Sequence, residues 1–208
     1  MKRTLLLALV MVFVMSVSAL AGGGLAGEKI FVDPGHGGWD AGAVGPTGLE
    51  EADVNLRVGT VLKNCLVQYG GASVEMSRYS DVYISLGGRA DAANNAGADR
   101  FISVHHNAAG DSSVNGTETY CHPYGSSNSF DMRNKVHAQL LAWGGLYNRG
   151  TKTADFQVLR ETAMPAILTE ASFISNPNEE ARLRDDNYTW REGYYIYKGI
   201  CDHYNVSY

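Results

Sequence analysis

The sequence predicts a single α/β domain with a mixed, mostly parallel sheet that is flanked by helices on both faces. Short apolar segments alternate with segments of helical periodicity, and glycine or proline punctuates them. No repeat, linker or low-complexity tract interrupts this order. Strands separated by helices favour a sheet that is covered on both sides. The 208 residues are enough for one domain with a proper core.

The N-terminal half begins with a short apolar strand that stops at Pro34-Gly35. From Glu51 to Tyr69, apolar residues recur at helical spacing, and a glycine pair then ends the predicted helix. The predicted strands of this half are 29–33, 72–77 and 101–104, and its helices are 51–69 and 86–95.

The C-terminal half continues the alternation. Its predicted strands are 117–121, 157–159 and 166–170, and its helices are 129–146, a segment from Pro177 and a last segment of 187–204. Proline suits a first helical turn, where its missing N–H is harmless. The last helix carries an aromatic stripe, which we expect to be packing surface rather than a ligand platform: Trp190, Tyr194, Tyr197 and Tyr204.

Residues 1–21 have the pattern of a cleaved signal peptide. A basic start at Met1-Lys2-Arg3 precedes an apolar run that ends in Ala19-Leu20-Ala21. An uncleaved membrane anchor is the alternative, but glycines follow at once and no stop-transfer charges flank the run. No cysteine follows the cleavage site, which argues against a lipid anchor. We therefore expect an exported protein, periplasmic or extracellular at the cell wall, without a membrane span after cleavage.

The remaining composition narrows the function classes. The net charge of −5 gives no sign of electrostatic nucleic-acid binding. Three cysteines, Cys65, Cys121 and Cys201, cannot form a complete disulfide framework, and their spacing matches no zinc pattern. One bridge is possible in an oxidising compartment, while Cys65 and Cys201 are expected to be small buried apolar residues.

We also expect the protein to be a monomer.

Polar residues follow three of the predicted strands, at the edge where α/β sheets gather functional groups. The first strand leads to His36, the third to His105 and His106, and a late strand to Glu170. Each follows an apolar run, so each side chain should lie at the rim of the core. One such residue would be an ordinary turn or cap residue; the combination is what indicates a site.

Two histidines and a carboxylate with an open fourth position are typical of a hydrolytic zinc centre. Glu50 and Glu51, at the start of the first helix, are both candidates for the carboxylate; either could instead be a solvated residue that favours the helix dipole. A zinc-activated water needs a nearby proton acceptor. Glu170 is the candidate, because an unpartnered charge inside an apolar run is costly.

Three segments of the chain carry a resemblance to a known family: VDPGHGGWDAGAVGPTGLEEADVNL, MSRYSDVYISLGGRADAANNAGADRFISVHHNA and QVLRETAMPAILTEASFISNPNEEARL. With these motifs in family order, the chain resembles the zinc-dependent N-acetylmuramoyl-L-alanine amidases of the type 3 family, which are peptidoglycan hydrolases. The resemblance covers nearly all of 28–208, the expected catalytic domain.

The resemblance implies one Zn²⁺ per chain, with a role for each matching residue. His36, Glu51 and His105 would be the zinc ligands, and Glu170 would be the catalytic glutamate. The choice of Glu51 over Glu50 comes from the family's Asp-Val-Asn-Leu phrase, which follows Glu51-Ala52 in this chain.

The chain departs from the family pattern at three places. Ala52 stands where lysine is usual, His106 replaces a small residue, and Ala171-Ser172 stands where a glycine is frequent. His106 leaves open that the two histidines exchange or share roles, although successive strand side chains point to opposite faces. None of these departures removes a ligand or the proposed base.

Two further residues are candidates for substrate binding. Arg160 could bind a stem-peptide carboxylate, although a surface arginine is the simpler interpretation. Asn107 could orient a ligand or the substrate by hydrogen bonding.

The implied reaction is hydrolysis of the amide between the lactyl group of N-acetylmuramic acid and L-alanine. One alternative is a zinc peptidase that cuts within the stem peptide, and another is a peptidoglycan-binding protein without catalysis. Some family members carry a helical insert that blocks the zinc site. The segment between Asn107 and Gln157 is too short for one, so we expect activity without an activator.

Overall fold

A computed structural model describes residues 23–208, which form a six-stranded sheet with helices on both faces. The strands are β1 Lys29–Pro34, β2 Ser73–Met76, β3 Arg100–Asn107, β4 Thr117–Cys121, β5 Asn148–Thr153 and β6 Ala166–Phe173. The helices are α1 Glu51–Gln68, α2 Leu86–Ala96, α3 Ser127–Gly144, α4 Gln157–Glu161, α5 Pro177–Leu183 and α6 Asp186–Tyr204. The predicted signal peptide, residues 1–21, lies outside the described residues.

The strand order across the sheet is β2-β1-β3-β6-β4-β5. All neighbouring strands are parallel except β4 and β6, which are antiparallel. The prediction of a mixed, mostly parallel sheet is therefore confirmed. This order places β1, β3 and β6 side by side. The polar residues near their carboxyl ends therefore lie at the same end of the sheet.

The two faces of the sheet have cores of different size. The larger core joins the sheet to α1, α3 and α6, and the smaller one joins it to α2 and α4. Side chains of β3 alternate between them, with Phe101 in the smaller core and Ile102 and Val104 in the larger. The larger core also includes Leu183 of α5, so more helices cover this face of the sheet than the other.

The aromatic stripe of α6 is mainly packing surface, as predicted. Tyr197 is 1% exposed, and Tyr194 and Tyr204 pack against the larger core. Trp190 is half-exposed and stacks on Tyr194, with ring centroids 5.5 Å apart. The stripe therefore attaches α6 to the sheet and to α1.

The edge of the sheet beyond β4 differs from the prediction. The strand expected at 157–159 is wrong, because Gln157–Glu161 forms the short helix α4. One helical turn with two buried apolar residues cannot be told from a strand by periodicity. The strand Asn148–Thr153 was not predicted: it is a polar edge strand, paired with β4 alone, and so lacks apolar alternation.

The helix starts follow local chemistry. Asn176 caps α5 by accepting hydrogen bonds from the backbone N–H groups of Asn178 and Glu179, and Pro177 occupies the first turn as expected. No helix within residues 23–208 is long and apolar enough to cross a membrane.

The three cysteines of residues 23–208 are buried and unpaired. Burial raises the pKa of the Cys65 thiol to about 11. They behave as small apolar residues, as expected for Cys65 and Cys201.

Candidate metal centre and active site

The turn after β1 holds His36 in an uncommon backbone conformation. Its φ of +59° lies in the left-handed region, where a residue other than glycine is uncommon. Arg89 donates a hydrogen bond to the His36 carbonyl at 2.8 Å, and Arg78 donates to the Gly35 carbonyl at 2.8 Å. Both arginines are 2% exposed. Charged donors of this kind stabilise a fixed backbone by about 1.5–3 kcal/mol per bond.

Asp33 at the end of β1 connects this turn to the sheet. Its buried carboxylate accepts hydrogen bonds from Ser77 at 2.6 Å, Ser103 at 2.8 Å and Arg89 at 2.8 Å. Three different elements therefore converge on one carboxylate, which is consistent with a turn held in a single conformation.

Two glycines allow the backbone to approach the histidines. A Cβ at Gly35 would overlap the imidazole ring of His105. A Cβ at Gly42 would lie 2.6 Å from the ring of His36 and 2.7 Å from a carboxylate oxygen of Glu51. The spacing of the site therefore depends on residues without side chains at both positions.

His36, Glu51 and His105 come together as one cluster, with one nitrogen or oxygen of each within 4.8 Å of the others. His36 Nε2 lies 3.3 Å from one carboxylate oxygen of Glu51, and His105 Nδ1 lies 2.9 Å from the other. Asp40 holds the second ring nitrogen of His36 at 3.0 Å. Glu50, the other candidate, is the exposed N-cap residue of α1 and lies outside the cluster.

The cluster shifts the pKa values of its own members. Burial alone would raise the pKa of Glu51, but hydrogen bonds and charge from His105 and His36 outweigh it and hold this pKa well below its ordinary value. Burial would lower the pKa of His36, yet Glu51 and Asp40 together raise it. The cluster therefore stabilises the charged forms of both groups.

Glu170 lies beside the cluster and is paired with His105 across β3 and β6. Its Oε2 is buried and has no hydrogen-bond partner. Burial raises the pKa of Glu170 well above its ordinary value, and the negative charges of Glu51 and Glu118 add to the shift. An unpartnered, partly buried carboxylate is costly in free energy, which fits a group that is kept for chemistry.

Glu118 lies directly opposite Glu170 across β4 and β6. Unlike Glu170, it accepts hydrogen bonds from several donors: Arg149 at 2.7 Å, Asn107 at 3.1 Å, and also Lys152 and Tyr120. Burial alone would raise the pKa of Glu118, but these donors lower it overall. Asn107, predicted to touch a ligand or substrate, therefore contacts Glu118.

His106 points to the other face of the sheet. Its ring is 1% exposed and contacts Asn55 and Glu192 behind the cluster, with Nδ1 2.8 Å from Asn55 Oδ1 and Nε2 3.1 Å from Glu192 Oε2. The alternation of β3 therefore separates the two histidines, and His105 alone joins the cluster.

A cavity of about 240 Å³ opens over His36 and His105. Its rim carries Trp39, which is 79% exposed and lies against Tyr83 with ring centroids 4.3 Å apart. Val158 of α4 also lines the cavity. The two histidines of the cluster therefore border a cavity with aromatic side chains in its lining.

Arg160, the other predicted substrate contact, is not brought to this cavity. It lies on α4 and borders a separate cavity of about 320 Å³ together with His122 and Tyr124. Its guanidinium group bonds Asp155 at 2.7 Å. A role in binding the substrate at the cluster is thus not supported by its position.

Several residues around the site were not singled out as functional from the sequence, most of them because their partners are distant along the chain. They are Asp40, Asn55, Arg78, Arg89, Glu118 and Glu192. Two of them carried a local signal: Asn55 lies one helical turn after Glu51 on the same face of α1, and Asp40 follows His36 by four residues.

The donor set fits a divalent metal with borderline-soft preferences. Two imidazole nitrogens face one carboxylate, and the second nitrogen of His36 is held by Asp40, the arrangement that commonly orients metal-ligating histidines. The orphaned oxygen of Glu170 lies beside this set. Together they can hold a cation and accept a proton next to it.

Comparisons with known proteins agree with this geometry. The family model for N-acetylmuramoyl-L-alanine amidase matches residues 30–202. The sporulation-specific N-acetylmuramoyl-L-alanine amidase of Bacillus subtilis is 42% identical over 161 residues, which are 77% of this chain and 62% of that protein. The amidase CwlM of Bacillus licheniformis is 41% identical over 180 residues, 86% of this chain and 70% of that protein.

A solved structure shares the fold as well. The catalytic domain of CwlV, an N-acetylmuramoyl-L-alanine amidase from Bacillus (Paenibacillus) polymyxa var. colistinus, superposes with a TM-score of 0.81 at 35% identity. The match covers 86% of this chain and 99% of that domain. Family model, relatives and fold all agree, and the chain belongs to the N-acetylmuramoyl-L-alanine amidase family.

Proposed function

We propose that this chain is an exported, zinc-dependent N-acetylmuramoyl-L-alanine amidase. Its reaction is hydrolysis of the amide that joins the lactyl group of N-acetylmuramic acid to L-alanine in peptidoglycan. The observation that carries the proposal is the cluster of His36, Glu51 and His105 beside the unpartnered carboxylate of Glu170.

His36, Glu51 and His105 would hold the zinc ion. A bound zinc supplies Lewis acidity, which polarises the scissile carbonyl and makes a water molecule more acidic. Asp40 keeps the ring of His36 in one orientation, and Arg78 and Arg89 fix the turn that carries it. These residues therefore set where the substrate carbonyl must lie.

Glu170 is the proposed general base. It accepts a proton from the attacking water and delivers it to the departing amine of L-alanine. It is suited to this because its Oε2 makes no other hydrogen bond and because it lies next to His105 in the sheet. Its neighbour Glu118, which is occupied by four donors, is not free to take the same role.

The surroundings of the cavity support activity without an activator. The helix between Asn107 and Gln157 is α3, which packs against α6 on the larger core. It therefore lies on the face opposite to His105. We expect purified protein to cleave peptidoglycan by itself; a strict requirement for an added partner protein would contradict this.

Export rests on the pattern of residues 1–21 and on the location of the substrate. The chain spans 62% of the sporulation-specific relative and 70% of CwlM, so activity and substrate are inferred for this chain and not transferred whole. Both relatives are amidases by name, which supports the same reaction class for this chain.

The test is mass spectrometry of peptidoglycan fragments after digestion, with and without a chelator. We expect intact stem peptides with free L-alanine amino termini, and no cleavage once the chelator removes the metal. Stem peptides cut between amino acids would instead indicate the zinc peptidase. Binding without any cleavage would indicate a non-catalytic protein.

A further inference from the structure

A chain of buried polar side chains lies behind Glu51, on the larger-core face. Asn55 and Glu192 are 0% exposed and His106 is 1% exposed. Glu192 Oε2 lies 3.1 Å from His106 Nε2, His106 Nδ1 lies 2.8 Å from Asn55 Oδ1, and Asn55 Nδ2 lies 3.1 Å from Glu51 Oε1. Burying three polar groups costs free energy unless they bond one another, so their arrangement calls for an explanation.

The direction of the hydrogen bonds follows from their partners. Asn55 Nδ2 faces Glu51 Oε1 and the Gly35 carbonyl, and both of these groups only accept. The amide nitrogen therefore points to Glu51, and the amide oxygen faces His106. Because this oxygen only accepts, His106 Nδ1 must carry a hydrogen. From His106 to Glu51 the hydrogen bonds thus run in one direction, and the last of them donates to Glu51.

The bonds to Glu51 restrict both of its oxygens. Oε1 receives Asn55 Nδ2 and the backbone N–H of His106, each at 3.1 Å, and Oε2 receives the backbone N–H of Ala43 at 2.9 Å. Of these three donors, only the Asn55 amide is a side chain that could rotate away. His106 prevents this rotation by binding the amide oxygen, and Glu192 in turn holds the far side of the imidazole ring.

We propose that Asn55 and His106 are positioning residues that fix the orientation of Glu51 toward His36 and His105, while Glu192 contacts the far side of the His106 ring. This inference rests on the proposed metal-dependent function. Residues behind a metal ligand determine how much reorganisation binding requires, and losing one typically lowers metal affinity about 10–100-fold. The chain therefore increases the affinity of the site without touching the metal.

The sharpest test uses two amide replacements at His106. Asparagine places its amide nitrogen near the position of Nδ1 and keeps a donor for Asn55, whereas glutamine reaches toward Glu192 and loses that donor. We expect His106→Gln to bind zinc about tenfold more weakly, while His106→Asn stays within about threefold of wild type. Zinc affinity is measured by competition with a chromophoric chelator, and the visible spectrum of the Co²⁺-loaded protein reports the ligand geometry.

A matched control separates positioning from ordinary loss of packing. His137 is also buried, between Thr119 and Asn148, on α3 away from the cluster. His137→Asn should lower the unfolding temperature without changing zinc affinity or the Co²⁺ spectrum. If it weakens zinc binding as much as His106→Gln does, the effect is general destabilisation and the positioning role is refuted.

A second variant removes the same bond from its other end. Asn55→Ala should weaken zinc binding like His106→Gln, and the double variant should be no weaker than Asn55→Ala alone, because both act through one hydrogen bond to Glu51. If His106→Gln does not fold, Asn55→Ala alone tests the proposal. An Asn55→Ala variant with unchanged zinc affinity would then overturn it. Additive losses in the double variant would also overturn it.

The two proposals can fail separately. Wild-type protein that binds no zinc, or that cleaves peptidoglycan equally well with a chelator, contradicts the proposed function. The positioning role alone is contradicted if wild-type protein binds zinc and cleaves peptidoglycan, but both His106 variants and Asn55→Ala bind zinc as tightly as wild type.

Discussion

His105 and His106 are neighbours in β3, but the two faces of the sheet give them opposite surroundings. His105 faces the smaller core and the open cavity, where it meets Glu51 and pairs across the sheet with Glu170. His106 faces the larger core, where Asn55 and Glu192 bind both of its ring nitrogens. The same side chain is thus available for a ligand on one face and fully engaged on the other.

The difference shows how a site can be reactive inside a stable domain. On the open face, Glu170 lacks a hydrogen-bond partner, and three carboxylates lie close enough for their charges to interact. On the closed face, helices α1 and α6 hold the chain that supports Glu51. An unpartnered carboxylate oxygen thus lies at the site, and the opposite face supplies the hydrogen bonds that support Glu51.

The largest expected effect is on turnover, when the unpartnered carboxylate is removed. Glu170→Ala should lower kcat by about 10²–10⁴-fold, because the water loses its proton acceptor. Zinc content per chain should stay at the wild-type value, since Glu170 is outside the ligand cluster. Steady-state kinetics on a defined muropeptide and metal analysis check this, and near-normal turnover would refute the assigned role.

Replacing each of the neighbouring histidines by asparagine tests the comparison directly. His105→Asn should weaken zinc binding by at least about 100-fold, because a metal ligand is lost. His106→Asn serves as the matched control and should retain its affinity. Equal loss in both variants, measured by chelator competition, would mean that the two histidines share the role.

The response of zinc binding to pH should follow the raised pKa of His36. A proton on His36 competes with the metal, so affinity falls as pH decreases, and the fall begins above the ordinary histidine value of 6.5. In the metal-free protein the sign is opposite: stability from protonated His36 is lost as pH rises through its folded pKa. The zinc-induced increase in unfolding temperature should therefore be larger at pH 8 than at pH 6.

Asp40→Asn provides the control for this pH effect. It removes one of the two carboxylates that raise the pKa of His36, so the difference between pH 8 and pH 6 should shrink. If the difference is unchanged, another group controls the pH dependence; Glu170→Gln then tests Glu170, the nearest candidate.

The smallest expected effect concerns the metal-free protein. The pKa of Glu170 is raised by burial, so its folded state favours the protonated form and stability falls as pH rises above the ordinary glutamate range. Glu170→Gln should therefore stabilise the metal-free protein at pH 8 by about 1 kcal/mol. At pH 4 the two proteins should unfold alike. A constant difference at both pH values would mean that the ionisation of Glu170 is not the cause.

Much of the site could be predicted because its signals are local. An apolar strand followed by PGHGG predicted His36 at a strand end, and strand alternation predicted that His105 and His106 face apart. Asn55 and Glu192 could not be predicted as partners of His106, because their contacts span 51 and 86 positions of sequence. Arg160 lies in a matching segment but borders another cavity, so its contact with substrate stays a prediction.

The sequence predicted two strand ends too early, before His105 and at Glu170, whereas β3 runs to Asn107 and β6 to Phe173. By itself it determined the alternation of strands and helices, the turn after β1 that carries His36, and the family. These depend on periodicity, turn chemistry and short motifs, each confined to a few consecutive residues. Only the tertiary structure decided which side chains meet behind Glu51, how Arg78 and Arg89 hold the His36 turn, and that the last edge strand is Asn148–Thr153. The physical reason is that hydrogen bonds between distant segments and the pairing of a polar edge strand leave no periodic trace in the chain.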